Sequence, residues 1–163
     1  MQLEELKNSF DKLQKRFGDP TLRSVYGAGW LHAPEVCFVF MNPTGKNVAA
    51  DPRWKGLRAP WIGTKNVWKL FFKLGFISDE LYQQIRSLHA SEWTPLFADR
   101  VYAEIADHGL YITNLSKSTQ RDARHLPDSV FKEYLPAFYK EINAIRPKRI
   151  ITFGNQVSSI ILD

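Results

Sequence analysis

Apolar positions along this chain change their spacing from segment to segment, and the spacing predicts the elements. Leu3, Leu6, Phe10, Leu13 and Phe17 recur at three- and four-residue steps, which places them on one face of an amphipathic helix ended by Gly18-Asp19-Pro20. The helical period returns in Val67, Leu70, Phe71 and Leu74 up to Gly75, then over Asp79–Leu88, and over Pro95–Asp107 with His108-Gly109 behind it. After Pro127-Asp128 it resumes in Val130, Tyr134, Phe138, Ile142 and Ile145, Pro147 stops it, and Val157–Leu162 begins another helix. Three shorter runs differ in character. Val36–Met41, Leu110–Leu115 and Arg149–Gly154 are β-branched and aromatic and end abruptly at polar or glycine positions, as strands do. The stretch "SVYGAGWLHAP" before the first of them reads as loop. Asn42 to Thr64 is a long connection rich in Pro, Gly, Trp and Arg, a kind of segment that commonly carries function.

Strands separated by helices imply crossover connections. The expected architecture is a three-layer α/β domain with a central, mostly parallel sheet flanked by helices, and residues 1–163 form a single domain. In such sheets ligands collect beyond the carboxyl ends of the strands, where Asn42, Asn114 and Gly154 would stand.

Composition narrows the chemistry. Lysine and arginine number 22 against 17 acidic residues, for a net charge of +5, which suits a polyanionic partner. Cys37 is the only cysteine, so disulfide frameworks, iron–sulfur clusters and cysteine zinc sites within this chain are excluded, and a reducing compartment, cytoplasm or nucleus, is expected. No run approaches the length of a membrane span, and the charged start "MQLEELKNSFDKLQKRF" lacks a signal-peptide core. His32, His89, His108 and His125 share no ligand spacing. Phosphate-binding, dinucleotide, zinc-protease and nucleophile-elbow motifs are absent.

What remains is a pair of amides. Asn42 follows a predicted strand and precedes a proline, which favours extended backbone at Asn42; the local reading of Asn-Pro-Thr-Gly is a turn. Asn114, near the end of the second strand, is an amide in a partly buried place, where it must find partners or cost stability.

Taken together, Met41-Asn42-Pro43, Trp54-Lys55-Gly56 and Asn66-Val67-Trp68-Lys69, with "GLYITNLSKSTQRDARHLP" and "RPKRIITFGNQ" further on, resemble in order and spacing the motif regions of the uracil-DNA glycosylase superfamily, most closely its mismatch-specific thymine/uracil branch. The likeness spans roughly Pro34 to Ile161. It implies a monomeric DNA repair enzyme that flips a deaminated or mismatched base into a pocket and hydrolyses its N-glycosidic bond with no cofactor and no metal. By that resemblance Asn42 is catalytic, holding the attacking water rather than acting as a base. Asn114 reads the base edge, Met41 and Pro43 flank it, and Trp54 by the motif, or Trp61 by proximity, stacks on the base. Lys55, with Arg53 and Arg58, and Lys117, Arg121 and Arg124 form two basic loops that would grip DNA phosphates.

The sequence departs from the pattern at Phe40 and Thr44, where the family carries glycine, and its His-Pro-Ser or Asn-Pro-Ser region has no counterpart before Asp163. A nucleic-acid or base-binding module of the same fold that does not cut is therefore the principal rival. A small-molecule enzyme on a doubly wound sheet is the third reading.

Overall fold

The computed structural model describes residues 2–163. Helix α1 (Gln2–Phe17) opens the chain, followed by strands β1 (Ala28–Gly29) and β2 (Val36–Phe40), helices α2 (Asn66–Lys73), α3 (Asp79–Ser87) and α4 (Pro95–Asp107), strand β3 (Leu110–Asn114), helix α5 (Asp128–Ile145), strand β4 (Ile150–Thr152) and helix α6 (Asn155–Leu162). The chain is α/β, with a four-stranded sheet in the order β1-β3-β2-β4 flanked by helices. β2 runs parallel to both β3 and β4, whereas β1 is antiparallel to β3.

The sheet is therefore mixed, and its antiparallel member comes from "YGAGW", which the sequence presents as loop. Two residues carry no periodicity to read. Gly29 makes the pairing possible: its φ is 122°, and a Cβ there would lie 2.2 Å from the Leu110 carbonyl oxygen, a contact that only glycine avoids.

β2 is a continuous apolar run because both of its faces are covered. Cys37 and Val39, beside Tyr111, pack with Phe131, Phe138, Ile145, Val157 and Ile160 from α5 and α6. Phe38 and Ile112 pack on the opposite face with Trp68, Phe71, Ile85, Val101 and Ile105 from α2, α3 and α4. The period of two along a strand thus assigns Phe40 and its register partner Asn114 to the α2–α4 face. Thr113 falls on the α5 face. Among the described residues no helix is long and apolar enough to cross a membrane.

Candidate functional site

Beyond Phe40 and Asn114 the two chains stay side by side instead of diverging. The Leu115 N–H donates to the Phe40 carbonyl at 2.8 Å, Ser116 to Met41 at 3.0 Å, Gln120 to Pro43 at 3.1 Å, and Gly45 back to Gln120 at 2.8 Å. These bonds hold Asn42 and Asn114 at adjacent carboxyl ends of the central strands, where α/β sheets place ligands.

A cavity of about 950 Å³ opens there, and both Asn42 and Asn114 line it, with Met41, Pro43, Trp61 and Phe153. That volume is at the upper end of small-molecule sites. Phe40 and Thr44 also lie in its wall without closing it; Phe40 is kept aside by stacking on Phe153 (centroids 4.4 Å apart, 5° between planes) and by an edge contact to Trp61 at 5.0 Å.

The two amides differ in how they are held. Asn42 Nδ2 donates to the Pro43 carbonyl at 3.1 Å, which turns its Oδ1, free of hydrogen bonds among the described residues, into an available acceptor. Asn114 is only 2% exposed, and its Oδ1 is buried without a hydrogen-bond partner. An unpaired buried acceptor costs about 1–3 kcal/mol, so this atom calls for a partner, either a ligand or an ordered water.

Trp61 is placed by its neighbours. Its carbonyl accepts from Trp68 Nε1 at 3.0 Å and Thr64 Oγ1 at 2.8 Å, and Tyr102 donates from its hydroxyl to the preceding Pro60 carbonyl at 2.6 Å. Under these restraints Trp61 adopts φ 67°, a left-handed conformation costly for a bulky residue and typical of ligand clamps. The long connection that carries it is tied down by Asn47, which accepts from the Ala49 N–H at 2.9 Å and donates to the Ala59 carbonyl at 2.9 Å.

Several expected site residues lie elsewhere. Trp54 does not line the cavity: its Nε1 donates to the Leu57 carbonyl at 3.0 Å and its ring packs on the α2–α4 core, so Trp61 is the tryptophan in the wall. Lys55 is exposed but outside the lining. Arg58 ties its own loop, donating to the carbonyls of Ala49 at 2.5 Å and Trp54 at 3.1 Å, while Arg53 pairs with Asp51 at 2.8 Å. Arg121 also stands away from the lining, 3.4 Å from Asp19.

Lys117 requires a correction. It is fully buried and bonded to Glu141 at 2.5 Å, so its ammonium cannot reach a phosphate. Burial pulls its pKa down, and the Glu141 carboxylate opposes that pull.

Arg124 does line the cavity, joined by Lys46, Lys65 and His125, three residues that the spacing of motifs did not single out. The signal available for them was position, since Lys46 follows the Asn-Pro turn directly and His125 follows Arg124. Among the described residues no aspartate or glutamate lines the cavity; Arg124 is paired at 3.0 Å with Asp122, which stands outside the lining, and Lys46 and Lys65 add cationic side chains that favour an anionic or electron-rich ligand.

No protein-family model matches the sequence, and no curated protein matches it. The class that the geometry defines is an α/β domain with an amide-lined, basic-rimmed cavity at the carboxyl edge of a mixed sheet.

Proposed function

We propose that this chain is a DNA glycosylase of the uracil-DNA glycosylase type, with a three-layer arrangement, excising uracil or a related deaminated or mismatched base. The observation that carries the reading is the convergence of Asn42 and Asn114, 72 residues apart in sequence, on one cavity wide enough for a nucleobase. In this reading Asn42 Oδ1 accepts a hydrogen bond from the attacking water and fixes it beside the anomeric carbon. Because an amide takes up no proton at neutral pH and no carboxylate stands in the cavity wall, the rate comes from positioning and from stabilising the departing base anion. Asn114 contacts the base edge, Trp61 stacks against its face, and Lys46, Lys65 and Arg124 supply the positive charge that the base anion and flanking phosphates need, with His125 as a further hydrogen-bonding group.

The test is single-turnover excision on oligonucleotides carrying uracil, hypoxanthine or a thymine mismatch. Wild type releases base from at least one of them, Asn42→Ala slows release by roughly 10²-fold, and Asn42→Asp, which brings an ionised group to the same water, speeds it. Equal trace release by wild type and Asn42→Ala rejects the assignment. A second reading, a base-binding module that does not cut, is favoured by Phe40, whose ring stands in the wall where the family pattern has glycine. It predicts binding without release in wild type and Asn42→Ala alike.

A further inference from the structure

The burial of Lys117 and Glu141 calls for an explanation beyond stability. Taking two charges out of water cancels most of their attraction, and apolar replacements of such pairs are often neutral or stabilising. Here the side chains are 0% and 2% exposed. What this pair accomplishes, and an apolar pair could not, is to direct hydrogen bonds at one strand. Lys117 Nζ donates to the main-chain carbonyl of Asn114 at 2.5 Å and to Glu141 Oε2 at 2.5 Å. Glu141 Oε1 accepts from the Tyr111 hydroxyl at 2.8 Å and from Thr113 Oγ1 at 2.9 Å. From α5, one carboxylate therefore gathers the α5-facing residues of β3 and the lysine that follows it.

The strand needs this support. β1 pairs only with Tyr111 and Ile112, so the last residues of β3 have no strand on that side. The rings of Phe10 and Phe138, 4.6 and 5.5 Å from Nζ, close the ammonium into one position. On the other face, Asn114 has an Oδ1 with no partner, so no side-chain bond at that atom fixes the amide; its orientation rests on the backbone that bears it.

We propose that Lys117 and Glu141 are positioning residues for Asn114, fixing the end of β3 so that the amide meets its ligand already oriented. This inference rests on the reading of the cavity as a base-binding site. The diagnostic variant is Lys117→Met/Glu141→Gln, which leaves no buried charge and retains an acceptor for Tyr111 and Thr113; Lys117→Met alone strands a carboxylate and is expected to lose stability. Three quantities are measured: the thermal midpoint, the single-turnover release of uracil from an oligonucleotide, and the Asn114 side-chain NH2 signals in 15N NMR. The expected result is a midpoint above that of Lys117→Met alone, release slowed at least tenfold, and Asn114 signals broadened or moved toward those of a free amide. Wild-type release with unmoved Asn114 signals overturns the proposal. So does a midpoint that falls in step with the rate, which makes the pair a structural fastener. If wild type releases no base, the NMR signals decide alone: displaced signals in the double variant uphold the positioning role while the glycosylase reading falls, and unmoved signals overturn both.

Discussion

Replacing Asn114 with leucine should make the protein more stable and less functional at once. The two side chains share a branching pattern, and because Asn114 lines an open cavity, the extra bulk of the leucine methyl groups has room that a closed core would deny it. A methyl group replaces an Oδ1 that is buried without a partner, removing a penalty of about 1–3 kcal/mol. On the cavity side, the amide's contact with water is lost, which offsets about 0.5–1.5 kcal/mol of that gain. The net is a stabilisation of about 1 kcal/mol, which for a chain of this length raises Tm by about 2–4 °C. Thermal unfolding followed by circular dichroism reads the first effect, and uracil-oligonucleotide binding and release read the second. The two must move in opposite directions. A Tm that falls by several degrees would show that Oδ1 has a structural partner, such as an ordered water, and would remove the reason for regarding Asn114 as poised for a ligand.

Further outcomes follow from the same geometry. Trp61→Ala weakens binding of uracil oligonucleotide by about 1–3 kcal/mol through lost stacking, whereas Trp54→Ala leaves that affinity in place; titration of both variants reads the difference. Arg124→Ala lowers the slope of log affinity against log salt by about 0.9 if its guanidinium meets a phosphate, and Lys117→Met, altering a buried cation, leaves that slope unchanged. Hydrogen bonds from Arg53 hold the Asp51 carboxyl at about 2 against an ordinary 3.8. Its contribution to stability is therefore complete above pH 3.8 and lost as pH falls toward 2, so Asp51→Asn should flatten Tm against pH in that window alone.

Much of the fold was legible because its determinants are local. The spacing of Leu3 to Phe17 marks α1, Pro95 and His108-Gly109 bracket α4, and the apolar runs at Val36 and Leu110 locate the two central strands to within a residue or so. β1 escaped because its pairing comes from β3 and from the freedom of Gly29, neither of which shows as a pattern at Ala28–Gly29. The two asparagines were legible as strand-end amides, yet their meeting at one cavity depends on β2 and β3 being neighbours. Lys117 misled for the opposite reason, since a lysine in a polar stretch reads as exposed unless its counter-charge is recognised. That counter-charge did leave a trace. Tyr134, Phe138, Glu141 and Ile145 fall at helical steps of four, three and four and are all buried, so an acid occupies a place in the apolar stripe of α5 where a core residue belongs. Trp54 and Trp61 could not be told apart from spacing, because the choice is made by the carbonyl contacts of Trp68 and Tyr102.

The segment leaving the pocket is latched from a distance. Gln14 accepts the Thr119 N–H at 2.7 Å, Gln120 donates to the Phe17 carbonyl at 2.8 Å, and Ser118 meets Tyr134, so Ser116 to Thr119 lie wholly out of solvent although every one of them is polar. An amino-terminal helix that contributes nothing to the cavity lining thereby becomes the moorings of its wall. Clipping α1 away would let that wall drift, and the damage would register first as a slackened grip on whatever the cavity holds, although no residue of α1 lines it.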